Sequence, residues 1–209
     1  MKSRIIKSNA RNGFTQMINQ SGTLIFMFAC FTVGFLAGVL TLKFKGISSG
    51  FFKNEFADLC TQLKGGFLSV LFSSVMRLLP FAAGIFISGT CMAGSVLVPV
   101  ILLLSGAYYG LLSAYSYAVY SLSGIVFNAL ILLPFGVISA MAMILSSREA
   151  FGFSFAIARL AFPTKKSRDF DRDFKLYCMR HIFLVGIFLC AVLIQTVMAV
   201  AFYKYFAFV

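Results

Sequence analysis

Residues 96–118 carry no charged side chain, and neither do 24–42, 78–94, 122–145 or 182–202. A helix crosses the roughly 30 Å hydrocarbon core of a bilayer with about 20 apolar residues, so each run is about one crossing long. No other feature limits the fold as much. Overall, 60% of residues are hydrophobic and 11% charged, against about 45–50% and 25% in soluble domains. The expected fold class is all-α: a polytopic bundle of five transmembrane helices at 24–42, 77–94, 96–118, 122–145 and 182–202. The second is read as starting at 77, or a few residues earlier within "LSVLFSSVM". Residues 1–23 with the run that follows look like a signal sequence, but the run exceeds a typical apolar core of about 7–15 residues. It is read as an uncleaved first span. The links at 91–95 and 119–122 are short, so spans two, three and four form an antiparallel series.

The flanks set an expected orientation. Net charge is +12, and basic residues concentrate on cytoplasmic loops. With the N-terminus inside, the cytoplasm receives Lys2, Arg4, Lys7 and Arg11, and eight more from Arg148 to Arg180. The outside receives Lys43, Lys45, Lys53, Lys64 and Lys204, with Arg77 at that surface. The N-terminus is therefore expected inside and the C-terminus outside. Tyr115, Tyr117, Tyr120, Tyr203 and Tyr205 would mark the outer interface as an aromatic belt. Basic flanks of this kind also meet anionic lipid. No folded basic module suggests nucleic acid.

The whole chain, 1–209, reads as one integral membrane domain. It begins with a basic cytoplasmic N-terminus at 1–23. An outer amphipathic segment follows at 43–70, where Phe52, Phe56, Leu59 and Leu63 share a helical face. A cytoplasmic amphipathic helix and charged hinge occupy 146–180, with Phe151, Phe155, Ala158 and Phe162 at the same spacing. Both amphipathic stretches read as helices lying in the membrane interface, and Pro163 would end the second.

The residue types argue against chemistry. All six acids, Glu55, Asp58, Glu149, Asp169, Asp171 and Asp173, fall outside the expected spans. Intramembrane carboxylates mark proton and cation paths, so an ion-coupled pump is not expected. No His-Glu-x-x-His motif or carboxylate pair supports a protease. The single His181 has no acid nearby to orient it as a catalytic base, and interfacial packing is the reading taken for it. Five widely spaced cysteines, with no Cys-x-x-Cys pair, give neither a disulfide framework nor a zinc site. No enzyme, cofactor or metal is expected.

Small residues are more telling. Gly34 and Gly38, Gly106 and Gly110, Gly84 and Ser88, and Gly136 and Ala140 are four pairs at four-residue spacing. Each places two small side chains one turn apart on one helix face, which lets another backbone approach closely. Pro99 is read as sitting near the start of span three, where a missing N–H costs least. Tyr108 and Tyr109 lie deeper and should need hydroxyl partners. Asn128 and Pro134 share span four, with interhelical bonding the default for Asn128. Arg77 is read as snorkelling to headgroups or seating an anionic partner.

"GSVLVPVILLLSGAYYGLLSAY" (94–115) places a glycine and a proline before an aliphatic run, then glycines at four-residue spacing. "FNALILLPFGVISAMAMILSS" (127–147) has an asparagine ahead of Leu-Pro and then small residues. Over about 70–147 this pattern resembles the stage II sporulation protein M family, as do the five spans and outer segment. The resemblance implies a non-enzymatic scaffold in the cell membrane of a Gram-positive-type bacterium. There it would hold peptidoglycan-degrading partners, stage II sporulation proteins D and P, during engulfment of the forespore. The alternative is a small membrane permease or permease subunit, with Arg77, Asn128 and proline-broken helices lining a path. A lipid-remodelling protein is a third reading, resting on the two amphipathic stretches.

Overall fold

The computed structural model describes residues 21–41, 66–160 and 170–202. Every regular element among them is helical. They are α1 (Ser21–Thr41), α2 (Phe67–Thr90), α3 (Gly94–Phe127), a π-helical turn (Asn128–Leu132), α4 (Leu133–Leu160) and α5 (Phe170–Phe202). Five stretches are long and apolar enough to cross a membrane: Ser21–Thr41, Phe67–Thr90, Gly94–Ala118, Leu122–Ala158 and Asp171–Phe202. The described residues thus form a bundle of five helices, each able to cross a membrane.

The backbone from Gly94 to Leu160 is helical without an assigned break, yet it is not one rod. Tyr109 packs its ring 6.2 Å from Phe135 and its hydroxyl lies 2.8 Å from Ser139 Oγ. Thirty residues of straight helix would separate those side chains by about 45 Å. The run therefore folds back on itself between them, and its two apolar arms, Gly94–Ala118 and Leu122–Ala158, are antiparallel. Pro134 accounts for the π turn. Its ring displaces the carbonyl four residues back, and the wider turn accommodates it; Leu133 donates instead to Asn128, five residues back.

The α2–α3 connection is a turn at 91–93. It is tied from outside, because Ser154 Oγ of α4 donates to the Cys91 carbonyl at 2.8 Å. α1 runs parallel to α3. A Cβ at Gly34 would fall on the Leu103 carbonyl oxygen and one at Gly38 on that of Ala107, so both helices advance together. Met27, Leu78, Ile85, Val98, Leu102, Tyr109, Phe135, Met143 and Val192 belong to one buried cluster that joins all five helices.

Several sequence-based boundaries are corrected. α2 begins at Phe67, ten residues before Arg77. Arg77 is therefore about 15 Å along the helix, not at its outer end, and residues 67–70 belong to a span rather than the outer segment. Residues 148–160 are not a separate interfacial helix but the continuation of α4. Their buried side chains are Ala150, Phe153 and Ser154, whereas Phe155 is 46% exposed. None of Phe151, Phe155 and Ala158 is buried, because α2 and α5 cover the face one residue away. Residues 170–175 of the expected hinge form the first turn of α5, where Asp171 and Asp173 complement the positive end of the helix dipole. Pro99 is the sixth residue of α3, beyond the unpaired N–H groups of the first turn, so it leaves the Ser95 carbonyl without its usual donor. Tyr115 is 6% exposed and points into the bundle instead of a belt; Tyr117 is 47% exposed. The segment 51–65 lies outside the described residues.

Candidate functional site

The most polar feature at membrane depth is a seam between α2, α3 and α4. Arg77 Nη2 donates to Ser73 Oγ at 3.1 Å. The guanidinium thus points back toward the start of α2, as side chains on a helix do. One turn on, the Phe81 ring packs 5.9 Å from Tyr108 of α3. Tyr109, next along, is 7% exposed and lies within reach of the Arg77 charge. Its hydroxyl shares a hydrogen bond with Ser139 Oγ, which also donates to the Phe135 carbonyl at 2.7 Å. The expected partner for Tyr109 is thus Ser139. An arginine at the centre of a membrane helix costs about 2.5–3.5 kcal/mol on insertion scales, and the bond to Ser73 offsets part of that.

Beyond Tyr109 the seam opens into a cavity of about 750 Å³ between α1, α3 and α4. Its walls include Phe35, Leu112, Leu132 and Val137, with Gly136 and Ala140 in one wall. A Cβ at Gly136 would meet nothing within 4 Å. Asn128 lines the same space; it is 5% exposed, and its Nδ2 has no hydrogen-bond partner.

The four small-residue pairs have different fates. Gly34 and Gly38 abut the backbone of α3, and Gly106 and Gly110 abut the Phe31 and Phe35 carbonyls of α1, so two of the pairs interlock. Gly84 is looser: its nearest neighbour is the Ile101 side chain, 3.5 Å from an added Cβ. Ser88 is buried at the end of α2, and its carbonyl oxygen lies where a Cβ on Gly94 would be. Gly136 and Ala140 face the cavity rather than a helix.

At the opposite end of the bundle a second cluster ties α2, α4 and α5. Tyr177 stacks on Phe153 at 4.6 Å and on Phe86 at 5.4 Å, and its hydroxyl donates to the Phe86 carbonyl. His181 is 4% exposed, 2.7 Å from Ser146 Oγ through Nε2, with its ring 5.0 Å from Phe86. Arg180 pairs with Glu149 at 2.5 Å on the surface. These contacts pack His181 into a helix junction. Gln195, 5% exposed with an unpartnered Oε1, is a buried polar group the sequence reading passed over. Its only signal was a lone amide in an apolar run. Among the described residues no three His, Cys, Asp or Glu side chains gather in one place.

Five apolar helices around a polar seam define a multi-pass membrane protein. No protein family, curated protein or solved structure matches the chain. The resemblance to the sporulation family therefore rests on the sequence pattern alone.

Proposed function

We propose that the bundle is a non-enzymatic small permease, or a subunit of one, whose ligand carries an anionic group. The observation that carries this reading is Arg77, a fixed positive charge in the middle of α2, bonded to Ser73 Oγ and within electrostatic reach of Tyr109. An ionisable side chain at that depth is retained where it serves a path or a ligand. In proteoliposomes, uptake should be tested with labelled inorganic phosphate, sulfate and a short carboxylate. Uptake of at least one is expected, with a loss of tenfold or more in Arg77→Gln. Equal uptake by Arg77→Gln would end the proposal.

A second reading is the scaffold for peptidoglycan-degrading partners in a bacterial cell membrane. It is supported by the backbone interlock of α1 with α3, which suits a fixed platform better than a moving gate. Recovery of cell-wall hydrolases from native membranes would favour the scaffold. Recovery of a cytoplasmic ATPase would favour the permease. Both readings place the N-terminus inside, by the distribution of basic residues. On a background without native cysteines, Lys53→Cys should react with an impermeant maleimide on intact cells, and Lys165→Cys only after permeabilisation. The reverse pattern would invert the topology.

A further inference from the structure

We propose that the cavity between α1, α3 and α4 holds one acyl chain of a membrane phospholipid, with Asn128 Nδ2 donating to the ester carbonyl. This stands apart from the transport and scaffold readings. About 750 Å³ lies within the range of small-molecule sites, roughly 300–1,000 Å³. An apolar space of that size left empty forfeits dispersion contacts along its whole lining.

The surroundings select the occupant. Leu133 and Val137 line the cavity and are 55% and 53% exposed. Its mouth therefore opens on a surface that, in a five-helix membrane bundle, faces lipid. Arg148, the first charged residue after Asn128, stands twenty residues further along the same arm, about 30 Å of helix, so a hydrocarbon core of roughly 30 Å that ends at Arg148 has its other boundary at Asn128. Leu132, Gly136 and Ala140 follow Asn128 at intervals of four along one face of the arm, running inward. A donor at the boundary with an apolar slot leading away from it matches a lipid whose ester lies at the interface and whose chain descends. An amide is neutral and suits an ester oxygen; a carboxylate would favour a cation. Gly136 leaves the slot unobstructed, and the buried Asn128 donor gains the acceptor it lacks within the protein.

The test uses the full-length protein in nanodiscs containing phosphatidylglycerol with a diazirine midway along one chain. Crosslinks are expected to concentrate in the peptides covering 109–118 and 128–140. Gly136→Leu fills the slot without meeting another atom near its Cβ, so it should fold and lose those crosslinks by at least fivefold. Asn128→Leu should lower them about fivefold, the worth of one uncharged hydrogen bond. Free fatty acid in excess should not compete; competition would reassign the site to a carboxylate and overturn the phospholipid. Crosslinks spread evenly to exposed positions such as Ile87 and Val96, and unchanged in both variants, would show ordinary boundary lipid and sink the proposal.

Discussion

Leucine at both Gly106 and Gly110 is expected to detach α1 from the bundle. A Cβ at Gly106 would lie on the Phe31 carbonyl oxygen and one at Gly110 on that of Phe35. Both obstacles are backbone, so no rotamer change relieves them. Inserting bulk into packed protein typically costs about 1–3 kcal/mol per site where side chains can move; here the cost per site should reach the top of that range or exceed it. The helices must separate to an ordinary interaxial distance of about 8–10 Å, and the reciprocal contacts of Gly34 and Gly38 are lost with it. Membrane helices gain little from hydrophobic exclusion of one another, so packing and hydrogen bonds carry their association. A disulfide engineered between α1 and α3 should form readily in the parent and fail in the variant. The matched control is Gly84→Leu with Gly136→Leu, two glycines from equivalent-looking pairs. One meets only a flexible Ile101 side chain at 3.5 Å and the other nothing within 4 Å, so melting should shift by only a few degrees. Equal damage from both double variants would show that the α1–α3 seam is not special.

That contrast marks how far the sequence could be read. Five crossings were legible because hydrocarbon imposes the same length on every helix, whatever it packs against. Which small residues touch a backbone was not, because spacing on a face says nothing about what stands opposite. Arg77 shifted the expected start of α2 for a related reason. A charge looks like the end of a span until the structure supplies Ser73 as its partner and ten helical residues ahead of it. The 148–162 stripe illustrates the converse. Period alone separates apolar from polar faces, but a helix longer than the bilayer can bury its far end against protein instead of lipid. The polar seam was only partly visible. Tyr108, Tyr109 and Asn128 stood out as polar groups at depth, while Ser139, Gln195 and the Ser146–His181 pair are ordinary letters until folding brings them together.

The junction at the other end of the bundle yields the second large effect. Gly89 lies where α2 meets α4 and α5: an added Cβ would sit against the Tyr177 hydroxyl, 2.9 Å from Ala150 Cβ and 3.0 Å from its Cα. Gly89→Leu must therefore drive Tyr177 off Phe86 and Phe153, break its bond to the Phe86 carbonyl, and push α4 back. Two aromatic pairs at about 0.5–1.5 kcal/mol each and one hydrogen bond at about 1 kcal/mol put the loss at several kcal/mol before any backbone strain. In mixed-micelle unfolding the variant should lose most of its folded fraction at detergent ratios where the parent stays intact. A smaller cycle isolates the cause. Tyr177→Phe alone should cost about 1 kcal/mol, since the ring keeps its stacking and only the hydroxyl bond goes. Combined with Gly89→Ala, it also removes the atom nearest the new methyl. The double variant should accordingly be more stable than the two single losses summed, by about 0.5–2 kcal/mol, as coupled neighbours allow. Strict additivity would mean that Ala150, not the tyrosine hydroxyl, is what a side chain at this position meets first, and Ala150→Gly would then be the rescuing change.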